Sequence, residues 1–339
     1  MNGHVRIHEE VLESLAQGTP VVALETAVLT HGLPRTVRPE APVVFDTPIA
    51  AGCSWDSSLP VNLATVKAMA QSVRHAGGVP ASSCILDGIL RIGLEPDELQ
   101  RLAEVEAEKC STRDLGRVMA SAGAGGTTVA GTLAACVSAN QQLQTQGLDP
   151  IRFFATGGIG GVHRQWNHHA DVSADLQALA SSPLMVVSAG AKVILDLPAT
   201  REALDTNQIP VLGWQVDHFP RFTVQGRPGE LEIPRIKEYR ELASICRYHW
   251  STLGRSEAIL LLNELPQRLA LDDQAVEQIV EEAMEAAQVA GIEGQKLTPF
   301  LLEYMAKKTG GDALEANIAL LMNNAGLAAR VASTVACDE

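Results

Sequence analysis

In L-M-V-V-S-A-G-A-K-V-I-L-D, Leu184 to Asp196, four apolar residues run into the small-residue turn Ser188-Ala189-Gly190-Ala191 and then into Lys192. A short apolar run bounded by a turn is the mark of a fully buried strand. A lysine held among Ala, Gly, Val and Ile at the end of such a strand is partly desolvated, which favours the neutral amine. A neutral amine attacks aldehydes to form a Schiff base. Taken alone, Lys192 also fits a side chain that snorkels its ammonium to the surface from an ordinary strand-to-helix turn.

Two further small-residue turns precede this one. T-G-G-I-G-G-V-H-R, Thr156 to Arg164, follows an apolar run, and D-V-S-A-D-L, Asp171 to Leu176, leads toward a helical pattern. Along the chain, strand-length apolar runs alternate with helical periodicity, which predicts an α/β fold. The strand candidates are Pro20–Leu24, Val79–Leu86, Ile151–Ala155, Leu184–Val187, Ile209–Trp214 and Ala258–Leu262. The helix candidates are Pro96–Glu108, Thr127–Gln144, Thr200–Asn207, Ile236–Thr252, Asp272–Ala290, Pro299–Lys308 and Leu314–Ser333. Glu277, Glu281, Glu282 and Glu285 read as the wet face of one helix. With no linker or repeat in view, the expectation is one layered α/β/α domain over residues 1–339, a central mixed sheet flanked by helices.

Composition narrows the function. At 46% hydrophobic residues, a chain of 339 can bury a large core. Twenty-six basic against 40 acidic residues give a net charge of −14, which argues against non-specific nucleic-acid or membrane-surface binding. An anionic substrate therefore needs a local positive pocket. Six cysteines (Cys53, Cys84, Cys110, Cys136, Cys246, Cys337) lack C-x-x-C spacing, so disulfides are not expected. The N-terminus has no apolar signal core and no uninterrupted apolar run approaches a membrane span, so the expected location is the cytoplasm.

Active sites of such folds gather at the carboxyl ends of strands, where several marked residues fall. Glu25 directly follows the run ending at Leu24, a poorly solvated place that suits a general acid, although a buried ion pair or a helix cap would use the same residue. Asp171 and Asp175 lie four apart, spaced for one carboxylate ending a loop and another facing the same way in a first helical turn; Asp171 or Ser173 equally suits an N-cap. Gly123, Gly125 and Gly126 before Thr127-Thr128 form a turn entering a helix, where free N–H groups could hold a phosphate with Lys109 as the positive charge. His163, His168 and His169 invite a zinc site with Asp171, but adjacent histidines point apart and the spacing matches no ligand pattern. Asn317 and Asn324 are candidates for amide contacts to a sugar or base.

These segments come with V-V-A-L-E-T (Val21–Thr26), T-H-G-L-P (Thr30–Pro34), K-C-S-T-R-D-L (Lys109–Leu115), G-G-T-T-V-A (Gly125–Ala130), T-P-F-L-L (Thr298–Leu302), T-G-G-D-A-L-E-A-N-I-A-L (Thr309–Leu320) and Asn323-Asn324. Together, in this order, they resemble the pseudouridine-5'-phosphate glycosidase family across nearly the whole chain. The resemblance implies reversible cleavage of a carbon–carbon glycosidic bond to uracil and ribose 5-phosphate. It implies Lys192 as the Schiff-base nucleophile, Glu25 as the proton donor and His163 as a further catalytic residue. Substrate contacts then fall at Lys109, Val129, Ser173, Ala174, Asp175 and Asn317, joined by Thr127 and Thr128 from the glycine-rich turn. The resemblance also implies manganese or another divalent cation at Asp171, where one carboxylate plus waters is an ordinary site for a hard ion. The implied partners are a small-molecule sugar phosphate or C-nucleotide and, through a homotrimer, copies of the same chain.

Two departures bear on the substrate. Thr36–Ser58 reads as an insertion long enough to cover a pocket as a lid, and Gln165-Trp166 after Arg164 brings an aromatic ring toward the site. A shorter extension around Asn140–Asp149 reads as peripheral. Both departures keep open a C-glycosynthase that joins ribose 5-phosphate to an aromatic or heterocyclic acceptor. A non-catalytic ligand-binding homologue is the alternative from another class, against which intact Glu25, Lys109, Asp171, Asp175 and Lys192 argue.

Overall fold

Val22, Ala23 and Leu24 are wholly buried, as are Val186, Val187 and Leu260 to Leu262. Strands apolar on both faces sit only in a sheet covered on both sides. The computed structural model, which describes residues 3–164, 166, 171–292 and 297–338, has that architecture. Its strands are β1 Val5–Ile7, β2 Val21–Leu24, β3 Val79–Leu86, β4 Ile89–Ile92, β5 Glu108–Cys110, β6 Gly125–Thr127, β7 Phe153–Ala155, β8 Val162–His163, β9 Met185–Ser188, β10 Leu195–Asp196, β11 Val211–Trp214, β12 Arg235–Ile236 and β13 Ile259–Leu262. Its α-helices are α1 Glu9–Ala16, α2 Val61–His75, α3 Pro96–Glu104, α4 Thr112–Ala120, α5 Val129–Thr145, α6 Ala174–Leu179, α7 Leu197–Thr206, α8 Tyr239–Cys246, α9 Asp273–Val289, α10 Leu297–Lys308 and α11 Asp312–Asp338.

The main sheet runs β1-β4-β3-β2-β7-β9-β13-β11-β12, with β6 branching from β3 and β5 pairing with β6. Every pair is parallel except β3 with β4 and β3 with β6, so the sheet is mixed, as expected. Alternation along the strands feeds two cores. Ala23, Phe154, Val186 and Leu260 face α1, α4, α5, α6, α7 and α9. Leu24, Ala155, Val187 and Leu261 face α2, α8 and α11. The long, apolar α11 is a core helix, with 72% of its most apolar window buried.

The expected helix Pro96–Glu108 stops at Glu104, because Val105 is extended and Glu108 to Cys110 join the sheet as β5. Residues 36–58 form a seated flap rather than a hanging one. Val61 N–H donates to Thr36 O at 2.9 Å, the Trp55 indole donates to Arg38 O at 3.2 Å, and the Trp55 and Phe45 rings meet edge-on at 5.7 Å. Arg38 pairs with Glu315 of α11, and Val43 N–H donates to the same carboxylate at 2.9 Å.

The turn that leads to Lys192 is held from outside. Gly190 has φ +82°, Phe222 N–H donates to Ala189 O at 2.8 Å, and a Cβ on Gly190 would lie 1.9 Å from the Pro220 carbonyl oxygen. A Gly190→Ala substitution combines backbone strain with a clash against main chain. It is expected to lower stability by about 2 kcal/mol or more, read as a lower urea midpoint at unchanged slope. An unchanged midpoint would show that the turn relaxes freely.

Candidate active site

Strands β2, β7 and β9 are parallel neighbours, so their carboxyl ends deliver Glu25, Thr156 and the Ser188–Lys192 turn to one edge of the sheet. Pairing continues past the strands. Ala189 N–H donates to Gly157 O at 2.9 Å, Ile159 N–H to Gly190 O at 3.0 Å, and Thr156 N–H to Val187 O at 3.0 Å. The T-G-G loop and the lysine turn therefore move as one ribbon.

The Thr156 hydroxyl donates to the Glu25 carboxylate. Burial pushes the Glu25 carboxyl above its usual range, against the Thr156 hydrogen bond and the charges of Lys192 and Lys109, while Asp175 pushes it further up. Lys109 reaches the same space from β5, opposite Gly126 of β6. β6 is stitched to the residue after Glu25: Thr26 N–H donates to Thr127 O, and Thr127 N–H to Thr26 Oγ1, each at 3.2 Å. Lys109 is exposed as a residue, but partial dehydration of its ammonium holds its pKa below the ordinary value, Lys192 lowers it further, and Glu25 and Asp175 pull it back. His31 sits at the rim, its pKa lowered by burial and then by Lys109 and Arg35.

His163 is brought in by the β8–β10 pair, where it lies opposite Leu195, three residues past Lys192. Its Nε2 is 3.8 Å from Asp171 Oδ2. Burial lowers its pKa, with Asp171 pulling it up and Lys192 pushing it down. Asp171 and Asp175 have different partners, His163 for the first and main-chain N–H groups for the second. Asp175 is buried and accepts Ala130 N–H at 3.0 Å and Gly160 N–H at 2.8 Å, so it clamps the start of α5 to the T-G-G loop. Ser173 is the N-cap of α6, accepting Asp175 N–H at 3.2 Å, and Ala174 opens that helix.

The glycine-rich turn is a strand, not a loop. Its Thr127 is fully buried, its hydroxyl donating to Ser83 O at 2.7 Å and accepting from Thr132 at 3.0 Å, so Thr127 supports the site from behind. Thr128 caps α5 by accepting Gly131 N–H at 3.3 Å. With Asp175 on Ala130 N–H, the Val129 N–H is unpaired in that first turn among the described residues. Asn317 is half-buried on α11. Asn324 is wholly buried and its amide is engaged by protein, which removes it as a substrate contact.

Among the described residues no group of three or more His, Cys, Asp or Glu side chains is arranged to hold a metal. A divalent ion here would take Asp171 as its single carboxylate and fill its shell with water and substrate oxygens, a mode that suits Mg²⁺ or Mn²⁺ and not structural zinc. His168, His169 and Gln165 lie outside the described residues; Trp166 is exposed. Thr156 is the site residue that the sequence reading did not single out. Its signal was a hydroxyl directly after a buried strand.

Residues 47–334 match the family described as "Indigoidine synthase A like protein". The chain belongs to this family. It is 39% identical to the pseudouridine-5'-phosphate glycosidase of Sorangium cellulosum over 334 residues, 98% of this chain and 94% of that one. It is 40% identical to that of Chloroflexus aurantiacus over 338 residues, 97% of each. Among solved structures it is similar to the prealnumycin C-glycosynthase AlnA in complex with ribulose 5-phosphate, with TM-score 0.81, 29% identity and coverage of 100% and 99%. It is also similar to an indigoidine synthase A-like protein of Thermotoga maritima, with TM-score 0.77, 29% identity and coverage of 98% and 96%. The resemblance carried by the motifs is thus a family membership.

Because the Glu25 pKa is raised in the folded state, the unfolded chain ionises first, and stability falls as pH climbs from the ordinary carboxyl range through that raised value; below the ordinary range the penalty is absent. Glu25→Gln is expected to melt above the parent protein at about pH 8 and level with it at about pH 4. Equal melting temperatures at both pH values would place Glu25 in water.

Proposed function

We propose that the chain is a pseudouridine-5'-phosphate glycosidase-type enzyme, which reversibly cleaves the carbon–carbon glycosidic bond to give uracil and ribose 5-phosphate through an imine on Lys192. The observation that carries the reading is one edge of the sheet where Lys192, Glu25, Lys109 and Asp175 act on one another's charge and His163 joins them. A carbon–carbon bond has no leaving oxygen to protonate, so the paired-carboxylate route of ordinary glycosidases does not serve. An amine nucleophile does: the opened sugar is held on Lys192, Glu25 supplies the proton that lets uracil leave, and water hydrolyses the imine to ribose 5-phosphate and free lysine. Burial raises the Glu25 carboxyl above its ordinary range, the direction a proton donor needs. Lys109 and the Val129 N–H at the start of α5 suit the phosphate. Ser173, Ala174, Asp175 and Asn317 remain with the sugar and base, and His163 with proton traffic beside Lys192.

A divalent cation such as Mn²⁺ at Asp171 would orient the base and polarise its oxygens. A cytoplasmic homotrimer belongs to the same proposal and rests on the motif resemblance and the cysteine pattern. The second reading is a C-glycosynthase that adds ribose 5-phosphate to an aromatic or heterocyclic acceptor. It is favoured by the likeness to AlnA over 100% of this chain.

Pseudouridine 5'-phosphate is expected to yield uracil, with turnover lost on chelation and restored by manganese. Borohydride added with ribose 5-phosphate should fix the sugar's mass on Lys192, and Lys192→Ala should cost about three orders of magnitude or more in kcat. Labelling elsewhere, or an active Lys192→Ala protein, rules out the imine. Full turnover by a metal-free Asp171→Ala protein rules out the ion. Coupling of ribose 5-phosphate to an aromatic acceptor without cleavage of pseudouridine 5'-phosphate favours the second reading.

A further inference from the structure

Behind Glu25 lies a chain of buried amides. Asn324, wholly buried on α11, donates through Nδ2 to the carbonyl of Thr156 at 2.8 Å and that of Gly157 at 3.4 Å, and its Oδ1 accepts from Asn263 Nδ2 at 3.0 Å. Asn263 follows β13, and its N–H donates to Ser188 O at 2.8 Å. One pair of carboxamides therefore ties the ends of β7 and β13 to a core helix, and the Asn263 backbone N–H adds the end of β9. The loop it grips packs closely on its surroundings, since a Cβ on Gly157 would lie 3.0 Å from Leu320 Cδ1 and one on Gly158 2.7 Å from the Phe222 ring. Thr156 is thus fixed through its carbonyl by Asn324 and through its N–H by Val187, and its hydroxyl is the group that meets the Glu25 carboxylate.

We propose that Asn324, braced by Asn263, is a positioning residue that acts on Glu25 through the backbone and hydroxyl of Thr156. The proposal rests on Glu25 as the proton donor of the reaction above. Buried carbonyls that lose their donor move to find another, and a hydroxyl carried by that backbone moves with them. Of the other charged groups that face Glu25, Lys109 comes from β5, whereas Lys192 and Asp175 are tied by hydrogen bonds to the same T-G-G loop, so Thr156→Val, which removes the hydroxyl and leaves that backbone as it is, isolates the hydroxyl's own effect.

The test is a titration of the Glu25 carboxyl in the full-length protein by carbon NMR, assigned with Glu25→Gln. A hydroxyl that donates to a carboxylate favours its charged form, so Thr156→Val should move the midpoint up by about one pH unit, and Thr156→Ser should retain the parent midpoint. Asn324→Leu should move it in the same direction as Thr156→Val, and Asn263→Ala less far. An unchanged midpoint in folded Asn324→Leu protein, or in Asn263→Ala where Asn324→Leu does not fold, overturns the proposal. In active protein the alkaline limb of the kcat profile should follow the same shifts with KM unchanged. The titration needs no substrate, so failure of the parent protein to cleave pseudouridine 5'-phosphate would sink the functional reading alone.

Discussion

A carboxyl group buried at the end of a central strand is the constraint on which the site depends. Glu25 is expensive to ionise where it stands, and only neighbours that donate or carry positive charge make its two protonation states interchangeable. Those neighbours come from remote parts of the chain: Thr156 from β7, Lys192 from the turn after β9, and Lys109 from β5. The strand order β2-β7-β9 is what allows it, since three parallel neighbours end at one level and their following residues converge. Asp175 links the same space to the start of α5, where its two accepted N–H bonds fix the helix against the T-G-G loop.

The segment around Lys192 is held by charge as well as by main chain. Arg164, next to His163, donates to Val193 O at 3.0 Å and pairs with Glu277 at 2.9 Å. Arg221, nearly buried, pairs with both Glu277 and Asp273 on α9, and its backbone bridges Gly190. Phe222, which follows, has φ +64°, a left-handed conformation uncommon for an aromatic residue. Buried ion networks add little net stability but strongly disfavour arrangements that leave one partner alone. This network therefore specifies where the lysine turn sits more than how tightly the protein folds. Glu277 is accordingly not part of the wet face that its helical spacing suggested, whereas Glu281 and Glu285 are exposed.

What the sequence showed followed from local pattern. The six apolar runs are strands within two residues at either end, and α9, α10 and α11 follow their periodicity, because burial on both faces and helical amphipathicity are written in neighbouring residues. β6 was hidden: Gly125-Gly126-Thr127 has the composition of a turn and is a strand only because its partners pack against the missing side chains. A Cβ on Gly125 would fall 2.3 Å from Cys110 Sγ, and one on Gly126 2.2 Å from Thr30 Oγ1. Among site residues, Glu25 and Lys192 were legible because each charged group follows an apolar strand. The pairings of Thr156 with Glu25 and of Asn263 with Asn324 were not, because the partners are 131 and 61 residues apart and no local pattern encodes that distance.

The charge of the whole molecule does not set the electrostatics of the site, because screening separates the two. A net charge of −14 spread over the surface repels an anionic sugar phosphate only weakly beyond about 8 Å at physiological ionic strength. At the strand ends the balance is local. Lys109 and Lys192 are close enough to lower the pKa of Lys109, and Lys109 and Arg35 together lower that of His31. Cations that disfavour one another's charge are stabilised by a shared anion, and each gains most where water is scarce. Lys109, Lys192, Glu25 and Asp175 set one another's charge, so the electrostatics of the site are decided by the strand ends that gather these groups and not by the acidic exterior.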